Sequence, residues 1–307
     1  MHPAPSIIIF STLSGAGFGL MALLGLGLGP ASPAFGFIAC GLALFLSCAG
    51  LVSSLWHLGN PQRAWRALTQ WRTSWLSREG VLAIAALGAF GLYALAWVAG
   101  YGRIWPLGLL ATGLALLTVY ATSMIYASIR AVPRWAKAPT PWLFIAFALA
   151  SGGLALGAVA APFMQLTVPA VAAGMILLLI AAATAFWWTS TASRIGLDAD
   201  GSTPETAIGL PELGRARLFE APHTAPNYLM KEMVFRIARK HTQKLRRIVV
   251  LFGFIFPLIC LFLVAAAPSL SPILAIALPV HLLGVAASRW LFFAEAEHVV
   301  ALYYGHR

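Results

Sequence analysis

Eight apolar runs of membrane length constrain this chain more than any other feature. A helix needs about 20 residues to cross a hydrocarbon core. Runs of that order recur at Ile7–Leu28, Phe35–His57, Gly80–Val98, Ile104–Ile129, Trp142–Ala161, Leu166–Ser190, Ile248–Ala267 and Ile273–Glu295. Hydrocarbon offers the backbone no hydrogen bonds, so such runs become helices. The expected fold is an all-α integral membrane protein, a bundle of eight transmembrane helices forming one domain over residues 1–307. The first run lacks a basic leader and a small-x-small cleavage site, so it is expected to remain as the first span. A mean hydropathy of +0.85 and a charged fraction of 9% exclude an ordinary soluble domain.

A net charge of +11 would suggest nucleic acid in a soluble protein, but here the placement of charge matters more than its sum. Arg63, Arg66, Arg72 and Arg78 lie between the second and third runs; Arg130, Arg134 and Lys137 lie between the fourth and fifth. Ten basic residues from Arg194 to Arg247 lie between the sixth and seventh, and Arg307 ends the chain. The opposite connections hold only Arg103. The positive-inside rule then puts both termini and the basic loops in the cytoplasm of a bacterial inner membrane. The expected partners are membrane lipid and soluble proteins, with no nucleic acid.

One connection is long, about 57 residues from Thr191 to Arg247. Its first half, from Asp198 through Pro226, is rich in turn formers and reads as extended loop. Its second half, about residues 228–247, spaces Met230, Met233, Val234, Ile237, Ala238, His241 and Leu245 three and four apart, with Lys and Arg opposite. That pattern predicts a basic amphipathic helix, which suits both anionic headgroups and a docking soluble subunit. No internal repeat is evident, which weakens a secondary-transporter reading.

The segment from His57 to Glu79 packs a His, a Glu, four Arg and three Trp into 23 residues. Ionisable groups are expensive near hydrocarbon and usually persist there for a function. His57 closes the second run and Glu79 opens the third, so both are expected at one membrane boundary. His titrates near neutral pH, and a His with a carboxylate at that depth suits proton exchange. The simpler readings stand beside it: His57 as a helix C-terminal residue favoured by the dipole, Glu79 as an N-terminal one paired with Arg78. Trp65, Trp71 and Trp75 among the arginines fit an aromatic belt, and Trp75 is the one nearest Glu79 for a planar ring to stack on. Tyr126 and Arg130 are four apart, which predicts a shared helical face at the same boundary. Arg289, Glu295, Glu297 and His298 crowd the last run's end, as either a proton path or an ion-paired network.

Other features carry no cofactor chemistry. Cys40, Cys48 and Cys260 lie inside apolar runs without C-x-x-C spacing and read as small core residues, so no iron–sulfur cluster or metal is expected in this chain. Gly15-x-Gly17-x-Gly19 has no strand before it and reads as close helix packing. A membrane haem wants His pairs from facing helices, and only His281 lies well inside a run.

Leu-Trp-His57-Leu-Gly59-Asn-Pro61-Gln-Arg63-Ala-Trp-Arg66-Ala and Ser74-Trp-Leu-Ser-Arg-Glu79 resemble the signature of membrane anchor subunits of the dimethyl sulfoxide reductase type. The start Met-His-Pro-Ala, the Ile129-Arg-Ala-Val-Pro-Arg-Trp turn and the end from Arg289 to Tyr304 match as well, so the similarity spans the chain. The resemblance implies a haem-free subunit that anchors an iron–sulfur subunit and a molybdopterin catalytic subunit and exchanges electrons with quinone (ubiquinone or menaquinone). It also implies quinone-binding roles for His57 and Glu79. On that footing the ring would sit between the second, third and fourth spans. Arg63 or Arg78 would fix the charge state of His57 and Glu79, and Trp75, Tyr126 and Arg130 would shape the pocket. In the reductase branch the catalytic subunits lie outside the cytoplasm, where they draw electrons from quinol. The charge distribution points instead to the cytoplasm-facing branch, the anchors of sulfite-oxidising molybdoenzymes, which send electrons into quinone. The quinol-oxidising anchor and, from another class, the secondary transporter remain the alternatives.

Overall fold

The computed structural model describes residues 4–163, 167–193, 201, 203–217, 219–220 and 242–304, with the side chains of 57, 192, 193, 301, 303 and 304 excepted. Among the described residues eight helices are long and apolar enough to cross a membrane. They are α1 (Pro5–Gly25), α2 (Pro33–Trp56), α3 (Trp75–Tyr101), α4 (Trp105–Ala127), α5 (Pro139–Ala160), α6 (Val168–Thr191), α7 (Thr242–Ala266) and α8 (Pro268–Ala294). Proline occupies the first turn of α1, α2, α4 and α5, where its missing N–H leaves no bond unmade. The predicted number and order of spans are those observed.

Their boundaries differ in one consequential place. Ser74 caps α3, its hydroxyl accepting a hydrogen bond from the Ser77 amide. Glu79 therefore sits a full turn inside the helix instead of opening it. The cap satisfies an amide of the first turn that would otherwise be orphaned.

α1 is the hub. Its apolar window is 78% buried, and it packs on α2, α4, α5 and α8. Its small residues permit this. A Cβ on Gly17 would strike Ser47 and Ala43 of α2, and one on Gly19 would strike the Ala148 backbone of α5. Close approach of backbones is what holds helices together where no hydrophobic drive exists. Gly17 and Gly19 bear out the packing reading of the glycine motif; Gly15 departs from it, since a Cβ there would meet nothing within 4 Å.

α1 and α2 pair closely, as do α3 and α4, and the two pairs meet through α1 and α4. α2 and α3 touch little, although consecutive. Their contact is chiefly at the far end, where Gly36 lies against the Trp97 indole. A groove thus runs between α2 and α3 with α1 and α4 as its floor.

Contacts between loops fix which ends share a face. Ser53 of α2 donates to the Ser6 carbonyl of α1 at 3.2 Å, and the Val299 amide donates to the Ala131 carbonyl at 2.9 Å. Both described ends and the basic connections therefore lie together. On the opposite face Arg103 donates to the carbonyls of Gly27, Gly29 and Pro30, tying the α1–α2 connection to the α3–α4 one.

The predicted basic helix at 228–247 lies outside the described residues except for 242–247, which form the start of α7. Of the stretch read as extended loop, Pro204–Ala207 instead forms a helical turn, capped reciprocally by Thr203 and Thr206. Cys40 and Cys260 are buried as expected, whereas Cys48 is exposed on the outer surface of α2. The helix simply turns that position away from α1.

Candidate functional site: a buried carboxyl beneath the α2–α3 groove

Glu79 is 5% exposed, and its Oε1 accepts a hydrogen bond from the Thr122 hydroxyl of α4. It lies four residues inside α3, so about 6 Å below the basic face at 1.5 Å per residue. Thr122 lies five residues inside the other end of α4, about 7.5 Å down. The two meet at one level because α3 and α4 run antiparallel and start from opposite faces. A carboxyl taken from water needs a hydrogen-bond donor, and Thr122 supplies one.

The segment that covers this end of the groove is shaped by the arginines. Pro61–Gln70 forms an exposed 3-10 segment with no buried residue. Arg66 lies over Trp65 and Arg72 over Trp71, with guanidinium-to-ring distances of 5.6 and 5.7 Å. Arg78 donates to the carbonyls of Trp71 (3.0 Å) and Arg72 (2.7 Å) and covers the Trp75 ring at 4.3 Å. It clamps the loop onto α3 and makes no ion pair with Glu79. Trp75 is half-buried and meets the Tyr120 ring edge-on at 6.0 Å.

The other expected residues divide. His57 ends the 3-10 turn Ser54–His57 that closes α2, on the same face as the start of α3; its side chain lies outside the described residues. Arg63 is exposed on the 3-10 segment. Tyr126 and Arg130 do not share a helical face. α4 stops at Ala127, and Arg130 lies exposed in the following turn. The four-residue spacing places Arg130 on the face of Tyr126 only if the helix continues, and it ends three residues earlier. Tyr126 packs among Trp135, Phe144, Phe292 and Phe293, with ring centroids 5.3 to 5.9 Å apart.

That aromatic cluster separates two charged sites that the sequence ran together. Toward the basic face, Glu295 pairs with Arg134 and, at 2.9 Å, with Arg246, ion pairs of the kind offered as one of the two readings for the end of α8. Deeper, Arg289 stands apart: it is 2% exposed and its guanidinium carbon lies 3.6 Å from the Phe144 ring centroid. Sequence reasoning placed Arg289 in the wrong group and missed Thr122, Ser11 and Ser14. Their signal was hydroxyls at three- and four-residue spacing inside apolar runs, Ser11 with Ser14 and Thr118 with Thr122.

His281 is fully buried in α8, with Nε2 2.9 Å from the Ser151 hydroxyl and Nδ1 2.8 Å from the Gly253 carbonyl. That carbonyl lies in the π turn Leu251–Ile255 of α7. Both ring nitrogens are engaged by protein, so the imidazole ties α5, α7 and α8 together. Among the described residues no group of three His, Cys, Asp or Glu could hold a metal ion.

Two comparisons bear on this arrangement. The family model for the DMSO reductase anchor subunit (DmsC) matches residues 1–305. A sulfite dehydrogenase subunit from Allochromatium vinosum is 32% identical, the match covering 99% of each chain.

Proposed function

The chain belongs to the DMSO reductase anchor subunit family, and on that footing we propose that it passes electrons between the iron–sulfur subunit of a molybdoenzyme and membrane quinone at the α2–α3 groove. The observation that carries this reading is Glu79: a carboxyl buried from water, a turn below the basic face, at the foot of a groove left by two helices that barely touch. Quinone supplies a ring that takes two electrons and two protons at its oxygens. The residues present suit such a ring. The groove opens toward lipid, Glu79 stands at its foot where protons must be given or taken, and the backbone of His57 ends the turn after α2 on the same face.

Each residue then has a task. Thr122 fixes the rotamer of Glu79, so the carboxyl is held ready and need not be ordered during reaction. Arg78 keeps the loop closed over the start of α3 through its two carbonyl contacts. Positive charge in the loops supports placing this face in the cytoplasm, with the iron–sulfur and molybdopterin subunits docked on it. The sulfite dehydrogenase relative favours sulfite as the electron donor.

The test is affinity purification of the full chain from native membranes in mild detergent, with partner identification and molybdenum and iron analysis. Co-purifying cluster and molybdopterin subunits without export signals are the expected result. Partners bearing twin-arginine export signals would invert the orientation, and a chain free of partners and metal would overturn the anchor reading.

A further inference from the structure

A small cleft lies under the groove, lined by Ser11, Ser14, Gly15 and Phe18 of α1, Val119 and Thr122 of α4, Phe144 of α5 and Arg289 of α8. It has room for about one water molecule. The guanidinium plane of Arg289 rests on Phe144, but Nε and Nη1 are buried with no hydrogen-bond partner among the described residues. A buried charge left this way is strongly unfavourable unless something in the cleft accepts from it.

The opposite wall offers only acceptors. Ser11 donates to the Ile7 carbonyl at 2.9 Å and Ser14 to the Phe10 carbonyl at 2.7 Å. With their protons committed to their own helix, these hydroxyls present lone pairs to the cleft. Thr122 lines the same wall and bonds Glu79 on its other side. Donors on one wall, acceptors on the other and space for a molecule that is both describe a site for water.

We propose that the cleft is an internal water site, and that the water it holds joins Arg289 to Thr122 and through it to Glu79, making Arg289 a positioning residue for that carboxyl. The inference rests on the assignment of Glu79 to proton exchange with quinone. Gly15 is what keeps the cleft open, since it lines the cleft and a Cβ there would meet no atom within 4 Å.

Gly15→Val is therefore the direct test, because its Cβ would enter space with no atom within 4 Å. Cryo-EM of the full complex at a resolution that shows ordered water should reveal density bonded to Arg289 Nε or Nη1 and to Ser14 or Thr122. Gly15→Val should remove that density and slow quinone-linked turnover about 10-fold, the scale of a weakened proton relay, with transfer to an artificial acceptor of the iron–sulfur subunit unchanged. Density too large for water, Arg289 turned directly onto Glu79, or full turnover in Gly15→Val would overturn the proposal. Glu79→Gln run in parallel separates the two readings. If it too keeps full turnover, the assignment of Glu79 has failed; if it alone loses turnover, only the water link has.

Discussion

The Thr122 hydroxyl of α4 donates to Oε1 of Glu79 of α3, one hydrogen bond joining the two helices that floor and flank the groove. Removing the donor leaves a buried carboxyl without its partner, a loss of about 1–3 kcal/mol. Thr122→Val is expected to lower quinone-linked turnover about 10-fold, a fold-change equivalent to about 1.4 kcal/mol. Thr122→Ser, which keeps the hydroxyl, should restore most of it. Steady-state rates with quinone and with an artificial acceptor check this, and equal rates for all three proteins would contradict it.

The ion pairs at the end of α8 predict an asymmetry in stability. Glu295 and Arg134 are 8% and 13% exposed at their side chains, whereas Arg246 is 48% exposed. Burial lowers the pKa of Arg134 and the Glu295 carboxylate opposes that shift. Glu295→Ala removes the hydrogen-bonded partner of a buried guanidinium, leaving Glu297 as its nearby carboxylate, and is expected to cost about 3 kcal/mol. Arg246→Ala removes a half-exposed partner, with an effect of at most about 1 kcal/mol. Thermal unfolding of the detergent-purified variants should rank them in that order.

The glycines of α1 predict a second contrast. Gly19→Leu drives a side chain into the Ala148 backbone and should prevent α1 and α5 from packing. Gly15→Ala meets open space and should yield wild-type amounts of monodisperse protein. Size-exclusion profiles of the two decide the matter.

The fold was legible because hydrocarbon length and charge placement are one-dimensional properties: Pro5–Gly25 or Pro139–Ala160 can be counted off the chain. The site was legible only in part. Glu79 stood out as an acid beside an apolar run, and the Gly17 and Gly19 packing followed from their size. The partner of Glu79 did not, because Thr122 lies 43 residues away and only the antiparallel pairing of α3 and α4 sets the two at one depth. Arg289 misled for a related reason. It is six residues from Glu295 in sequence, but the aromatic cluster of Tyr126, Phe292 and Phe293 lies between their sites.

The proposed orientation rests on the charge of the loops and is separately testable. Leu213 is 80% exposed in the α6–α7 connection, on the face that carries the basic loops. In a Cys48→Ser background, a cysteine introduced by Leu213→Cys should react with a membrane-impermeant maleimide only after the cells are opened. Labelling of intact cells would place that face outside.

The most direct measurement compares two electron acceptors in membranes carrying Glu79→Gln. On the proposed reading, in which the carboxyl exchanges protons with quinone, electron delivery to quinone is expected to fall by about 100-fold, the lower end of what positioned acid–base groups contribute. Transfer from the same substrate to an artificial acceptor of the iron–sulfur subunit should keep its wild-type rate. Quinone reduction at the wild-type rate in Glu79→Gln would contradict the assignment of this buried carboxyl.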